Sequence, residues 1–591
     1  MPQARPGRLR VSGADPKLTA MGDVRTVALS PARYAEDLAQ LDGGSFDMLV
    51  VGGGIVGAGA ALDAATRGLR VAVVEAQDWA SGTSSRSSKL IHGGLRYLQM
   101  YDFALVREAL RERAILLRLA PHLVHPVPIL YPLRHRVVER AYVGAGVLLY
   151  DLLARTGGTS AGLPFHHQLS RRRTFELAPA LDPLRFVGAI QYYDGQVDDA
   201  RHTLTVLRTA ASHGAVVANR VRVVGLLRDG DRVVGARLRS AETGALSEVR
   251  ASVVVSATGV WTEQFEGLAG RDGALRVQPS KGVHIVVPRR CIESSTALIL
   301  PTDKSVLFVL PWGEHWIIGT TDTPWRHDLA QPAASAADID YLLATVGSAL
   351  ARPIGRADIE SVYVGLRPLI AGAGEETTKL SREHAVNRAL PGLVLVSGGK
   401  YTTYRVMARD VVDAAVDHGS MLAGPSRTES VLIAGADGYA QVLGRVGELA
   451  HRWGVGRSQI ERLLGRYGSL VPEVLAGAED DPSMLSVVGG SGVYLRAEVA
   501  YAVTHENARH VEDVLARRTR VAMETADRGA GAVEEVAALM APLLGWDEPQ
   551  RAAEVASYRD RLESELAAER QPDDDGAAAR SSEAAAFLPS P

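Results

Sequence analysis

The sequence predicts an α/β protein in which a parallel sheet is left and re-entered by the chain before a helical region closes it. Three observations carry this. The runs FDMLVVG (Phe46–Gly52), GGIVGAGAALDAATRG (Gly53–Gly68) and LRVAVVE (Leu69–Glu75) change from an apolar strand to helical spacing and back to an apolar, β-branched strand, which is a βαβ unit. An antiparallel meander begins near residue 221 and runs back toward the sheet. From about Glu429 onward the composition shifts to Ala, Leu, Glu and Arg with apolar residues three and four apart. At 591 residues the chain holds about four domains' worth of sequence at roughly 150 residues each. The organisation resolves into three.

The elements follow in order. Residues 1–44 read as a loose arm without the apolar core of a signal peptide, although Ser30 as N-cap and Pro31 behind it open a short helix in ARYAEDLAQL. The core begins at Ser45. In the meander, RVRVVGLL, RVVGARLR and LSEVRASVVVSATG are joined at Asp229–Gly230 and Thr243–Gly244, both hairpin-turn signals. A later strand, LVLVSGG, ends at Gly398–Gly399 before YTTYRVMARDVVDAAV, which has helical spacing, so the sheet is visited at least three times. The final residues, QPDDDGAAARSSEAAAFLPSP, are low in complexity and read as a disordered tail.

Composition excludes several classes. Apolar residues make up 46% and charged residues 23%, ordinary for a globular chain. The net charge of −3 demands no nucleic acid. The single cysteine, Cys291, rules out an intrachain disulfide, a Cys₄ zinc site or a Cys-ligated iron–sulfur cluster, and the chain reads as intracellular and cytoplasmic. The apolar stretch Ala141–Tyr150 falls well short of the ~18 residues needed to cross a bilayer. Glycine is in surplus, 59 residues, so either tight turns are many or backbone comes close to something.

Gly52-x-Gly54-x-x-Gly57 lies between strand and helix, with Gly59 next and Glu75 ending the second strand. The first glycine makes the turn, the second admits a pyrophosphate, and the third packs helix on strand, with the helix N-terminus facing the phosphates. Glu75 can accept hydrogen bonds from ribose hydroxyls and repels a 2′-phosphate, which favours FAD or NAD over NADP. The segment Ser81–Gln99 is dense in hydroxyls, glycines and cations, suited to wrapping a cofactor or to forming a solvated loop.

From that segment onward, TSSRSSKLIHGGLRYL, VDDARH, SKGVHIVVP, IIGTTDT, GLRPL and SGGKYTTYR resemble the FAD-dependent glycerol-3-phosphate dehydrogenases, in that family's order, from about Phe46 to Leu562. The resemblance implies a discontinuous, Rossmann-like FAD-binding domain (45–104, 195–268 and 386–428) and a D-amino-acid-oxidase-like substrate domain with an antiparallel sheet (105–194 and 269–385). A carboxyl-terminal helical domain (429–566) and a disordered tail (567–591) complete it. It places Gly52, Gly54, Gly57, Glu75, Ser84, Ser85, Thr258, Gly259, Gly398 and Gly399 along FAD. It implies oxidation of sn-glycerol 3-phosphate to dihydroxyacetone phosphate by hydride transfer from C2 to flavin N5, with a quinone as acceptor. Arg96, Tyr97, Arg367, Arg382 and Lys400 become the substrate-binding candidates, since arginine forks suit a phosphate dianion. His284, Arg367 and Lys400 become the catalytic ones, with His284 as general base. Taken alone, a histidine in an apolar strand is an ordinary structural residue. His92 reads as a flavin-side or structural residue, and Cys291 as a small hydrophobe rather than a flavin anchor.

Further expectations complete the picture. Aligning Gly576 with a calcium-loop glycine leaves Gln571 and Ser582 at the first and twelfth ligand positions, so no metal site is expected. RHRVVERAYVGAGVLLYDLLAR, cationic beside apolar, suits either a peripheral contact with the inner membrane face or core packing. A homodimer is expected. The rival readings are an O₂-reducing amine or 2-hydroxyacid oxidase of the same fold, and a flavin-binding redox sensor.

Overall fold

The computed structural model describes residues 26–155, 162–270, 275–302, 306–370 and 383–581. Its first sheet runs, from edge to edge, through His384–Leu390, Leu393–Gly398, Leu246–Ser256, Ser45–Val51, Val71–Val74 and Val216–Ala218. The inner pairings are parallel, with Met48 beside both Val253 and Val71. Alternation explains why the inner strands are apolar on both faces: Met48, Val50, Val71, Val73, Val253 and Val255 point into one core, and Leu49, Val51, Ala72, Val74 and Val254 into another.

The first core is covered by the helices Ile55–Thr66, Asp199–Ser212 and Tyr404–Gly419. Gly59 permits the tightest of these crossings, because a β-carbon there would lie 2.9 Å from the Tyr404 ring and 3.0 Å from the Ala408 β-carbon. The second core is closed by the antiparallel meander Val221–Asp229, Arg232–Ser240 and Leu246–Ser256, whose turns fall at Gly230 (φ 57°) and Gly244 (φ 72°), as the sequence predicts.

The second sheet is ten-stranded among the described residues and almost wholly antiparallel. Its longest strand, Val277–Pro288, pairs with Ser361–Ile370 on one side and His315–Gly319 on the other. Val283, Ile285 and Val287 pack against the helix Ala336–Gly347. The even-numbered His284 and Val286 therefore face the other way, toward the helix Val138–Arg155 and the nucleotide half.

The helical region has cores of its own around Ile460, Leu463 and Leu475 and around Val503, Leu515 and Met540. It is fastened to the first domain by buried ion pairs: Arg517 and Arg518 on Asp78, Arg220 on Asp513, and Arg520 on Asp199.

Two expectations need correction. Residues 26–41 of the supposed loose arm are packed: Ser30 Oγ accepts from Arg33 N, the helix Pro31–Leu41 buries Tyr34, Asp37 and Leu41, and Leu29 N donates to the His505 carbonyl. The supposed disordered tail forms a helix at Asp574–Ser581, because Asp574 pairs with the fully buried Lys281 and Ala577 enters an apolar hollow with Trp325, Leu366 and Ala568. Low complexity there reflects small side chains fitted to a tight contact.

Candidate active site

A cavity of about 1920 Å³ lies where the two sheets and the helical region meet. Nine of the ten residues expected along a dinucleotide line it: Gly52, Gly54, Glu75, Ser84, Ser85, Thr258, Gly259, Gly398 and Gly399. Gly57 does not. A β-carbon on it would lie 1.9 Å from the Gly52 carbonyl oxygen, so its part is to let the helix sit on the strand. At Gly52 φ is 113°, and a β-carbon would meet the Ala257 carbonyl at 2.6 Å, so the turn admits glycine alone.

The helix Ile55–Thr66 starts at Gly54, which has no side chain to cap it, and Ser84 supplies one by accepting from Ile55 N at 2.9 Å. Glu75 accepts from Gly53 N at 2.6 Å through one oxygen and from Gln77 N at 2.8 Å through the other. Burial raises its pKa against the pull of those two bonds. The helix N-terminus, the open glycine backbone and the carboxylate at the strand end together fit the phosphates and ribose of a dinucleotide.

The opposite wall carries the chemistry. On Val277–Pro288 and Ser361–Ile370, His284 is in register with Tyr363, Gly282 with Gly365 and Ser280 with Arg367. Alternation puts Tyr363 and Arg367 on one face, and the His284 ring stacks on Tyr363 at 4.7 Å and 6°. Between them the glycine pair keeps the surface low: a β-carbon on Gly365 would meet the Arg86 carbonyl oxygen at 2.5 Å.

Arg367 donates to the Thr321 carbonyl at 3.2 Å and to Thr320 Oγ1 at 3.0 Å, with the Asp322 carboxylate 3.6 Å away. Lys400 Nζ stands 3.6 Å above the centre of the Tyr97 ring. Burial, with the positive charges of Arg367 and Lys89, holds the His284 imidazole well below its usual pKa, so it is neutral at pH 7.

Arg367, Lys400, Tyr97, His284 and His92 all line the cavity. Arg96 lies on the turn Leu95–Met100, and its side chain is outside the described residues, as is Arg382 altogether. His92 N donates to Thr402 Oγ1 at 3.1 Å. Cys291 sits half-buried on the turn Arg289–Cys291 against the substrate-sheet core, away from the cavity.

Sequence reasoning missed Ser88, Lys89, Asp199, Tyr363 and Arg520. Lys89 is completely buried, and its Nζ donates to Asp199 at 2.8 Å and lies 4.9 Å from the Tyr363 ring. Burial brings it down to about 8 in spite of Asp199. The strings SSRSSK and VDDARH contained three of these residues, Ser88, Lys89 and Asp199, yet nothing local joins them.

A split parallel sheet with a dinucleotide cradle, closed by an antiparallel sheet, is the architecture of a FAD-dependent oxidoreductase. A family model of that description matches residues 47–413, and one for the C-terminal domain of alpha-glycerophosphate oxidase matches 426–551. The Mycobacterium tuberculosis protein named glycerol-3-phosphate dehydrogenase 2 is 53% identical over 548 residues, 93% of each chain. The human mitochondrial glycerol-3-phosphate dehydrogenase is 39% identical over 558 residues, 91% of this chain and 76% of the human one. The crystal structure of glycerol-3-phosphate dehydrogenase from Bacillus halodurans with FAD matches with a TM-score of 0.74 at 28% identity, over 92% of this chain and 99% of that one. The chain belongs to the FAD-dependent glycerol-3-phosphate dehydrogenase family.

Proposed function

We propose that the protein oxidises sn-glycerol 3-phosphate to dihydroxyacetone phosphate and delivers the electrons to a quinone at a membrane surface. The observation that carries the first half is the shared face of His284 and Arg367, a neutral base and a phosphate fork separated by paired glycines. Arg367, braced by two threonines, and Lys400, held over Tyr97, bind the phosphate dianion, joined by Arg96 and Arg382. The same positive wall favours an alkoxide-like transition state. His284 takes the proton of the C2 hydroxyl, always available as the neutral imidazole near pH 7. FAD, held by the glycine turns and Glu75, supplies when bound the acceptor for the C2 hydride and passes the electron pair on.

The second half rests on the apolar residues Leu90, Leu95, Leu105, Tyr192, Ile299 and Phe308 among the cavity's lining, with Asp102 at the head of the helix Phe103–Leu119 also lining it. Outside it stand the exposed Tyr101 and Phe103 and the helix Val138–Arg155. That helix buries Val143, Val147 and Tyr150 but exposes Val138, Tyr142, Leu148, Leu149 and Leu152, with the exposed Arg107, Arg111, Arg134 and Arg136 nearby. The buried face is core packing, and the exposed apolar face supports the reading of a peripheral contact. Among the described residues no helix is long and apolar enough to cross a membrane. The contact proposed is a peripheral one, through this exposed apolar face.

Anaerobic titration of the flavin-loaded protein with glycerol 3-phosphate tests the reading. Loss of the oxidised flavin absorbance, and its return on adding a soluble quinone, is the expected result. A flavin that glycerol 3-phosphate leaves oxidised overturns the proposal, and stoichiometric peroxide with no quinone reduction overturns the acceptor.

A further inference from the structure

Arg367 reaches its threonines by crossing a neighbouring strand. It belongs to Ser361–Ile370, which pairs with one side of Val277–Pro288, where Ser280 is its partner in register. Thr320 and Thr321, which accept from its guanidinium at 3.0 and 3.2 Å, belong to the other side. There His284 is in register with Gly319 and Lys281 with Thr323, while Thr321 Oγ1 accepts from Val283 N at 3.0 Å and donates to the Lys281 carbonyl at 3.4 Å. The guanidinium therefore passes over Val277–Pro288, and the residue beneath it is Gly282.

A β-carbon built on Gly282 would lie 2.8 Å from Arg367 Nη2, 3.1 Å from its Cζ and 2.6 Å from Thr320 Oγ1. Contacts below 3.0 Å are closer than real β-carbons make, so the guanidinium and the hydroxyl fill the space that any other residue would need. Backbone conformation does not ask for glycine here, because the residue lies in regular strand, paired with Gly365, and has no positive φ. The close approach does. Gly282, Thr320, Thr321 and Arg367 all line the cavity. Thr321 is tied to the strand on both sides of the glycine, so an added methyl group is met by moving Arg367 and the Thr320 hydroxyl, the ends of two flexible side chains.

We propose that Gly282 is a positioning residue for the substrate's phosphate: it is the seat of the Arg367 guanidinium, held by the strand beneath and by the two threonines at its tip. This rests on Arg367 being the phosphate clamp of the proposed function. An arginine grips phosphate through paired N–H donors in a fixed fork, so the height and tilt of the fork decide whether both bonds form. With a methyl group at position 282, Nη2 must retreat by about 0.6 Å to reach ordinary contact at 3.4 Å. That movement strains the bond to Thr320 and lifts the guanidinium into the space the phosphate would occupy.

The test is anaerobic stopped-flow reduction by glycerol 3-phosphate of flavin-loaded Gly282→Ala, Arg367→Ala, Arg367→Lys and the two double variants, with flavin content read by absorbance. Gly282→Ala should keep its flavin and most of its limiting reduction rate, while the substrate dissociation constant rises on the order of 10- to 100-fold, the scale at which a displacement of about 1 Å acts. Beside Arg367→Ala the same substitution should add nothing further, because the group it displaces is gone. Arg367→Lys, with a narrower ammonium, should weaken binding on its own but strengthen it in the Gly282→Ala background. An unchanged dissociation constant in Gly282→Ala overturns the proposal. So does a loss that persists undiminished beside Arg367→Ala, since the methyl group would then be meeting substrate or flavin directly. If Gly282→Ala binds no flavin, Gly282→Ala/Arg367→Lys decides: flavin regained supports the seat, and flavin still absent assigns the glycine to the cofactor and overturns it. A wild-type dissociation constant in Arg367→Ala alone overturns the clamp on which the proposal rests.

Discussion

Replacing Arg367 with alanine should weaken substrate capture far more than it slows chemistry. The guanidinium donates to Thr320 and Thr321 and lines the cavity, and its planar fork suits a two-pronged grip on phosphate. Hydrogen bonds to charged groups contribute about 1.5–3 kcal/mol each, so two give about 3–6 kcal/mol. The Arg367 side chain retains 23% exposure, which selects the lower end. About 3 kcal/mol corresponds to roughly a 100-fold rise in the substrate dissociation constant. Asp322, also bonded by Ser280, would then face the dianion without Arg367, which adds repulsion. The double variant Arg367→Ala/Asp322→Asn should therefore recover part of that loss, because it removes the negative charge that repels the dianion. Stopped-flow flavin reduction separates the two quantities. A dissociation constant within about threefold of wild type, beside a collapsed limiting rate, would refute the clamp and place Arg367 at the reacting hydroxyl instead.

Other consequences can be measured independently. Because the depressed His284 is already neutral at pH 7, the limiting rate of flavin reduction at saturating substrate should stay flat as pH falls through 6.5 and decline only well below it; a midpoint at 6.5 would contradict the burial argument. Burial and Arg220 push the His510 imidazolium's pKa down, but Glu242 at 3.1 Å and Glu554 at 2.8 Å win and raise it from 6.5 to about 9. Its contribution, roughly 3 kcal/mol at most, is complete below pH 6.5 and lost as pH rises through 9, so His510→Gln should flatten the unfolding midpoint over that window. Replacing Leu148 and Leu152 with glutamate should cut flotation with anionic vesicles severalfold while flavin bleaching by glycerol 3-phosphate persists; undiminished flotation would move the membrane face elsewhere.

What was legible depended on how local the signal was. The glycine fingerprint, the Asp229–Gly230 and Thr243–Gly244 turns and the N-cap at Ser30 are all short-range devices, and all lie where the chain's own chemistry put them. His284 and Arg367 were visible only through resemblance, since neither periodicity nor composition distinguishes a base in an apolar strand from a structural histidine. The rest was illegible because its partners are far apart in sequence: Lys89 meets Asp199 at a separation of 110 residues, Arg520 meets Asp199 at 321, and Lys281 meets Asp574 at 293. An isolated cation in a sequence does not announce the carboxylate it will be buried with. The tail was misread for the same reason, its aspartate being meaningful only beside Lys281.

These long-range pairs also explain why a flavin half and a helical half act as one enzyme. Buried ion pairs add little net stability, because desolvation offsets most of the attraction, but removing one partner leaves a charge stranded at a cost of about 3–5 kcal/mol. Asp78, Asp198 and Asp199 of the nucleotide half are nearly or wholly buried, and each is met by arginines of the helical half. Without that half, Asp78 and Asp198 would lose their ion-pair partners and Asp199 would keep only Lys89. One of them, Asp199, anchors the loop that carries Ser88 against His284. The helical domain is therefore tied, through Arg520 on Asp199, to the loop that stands beside His284.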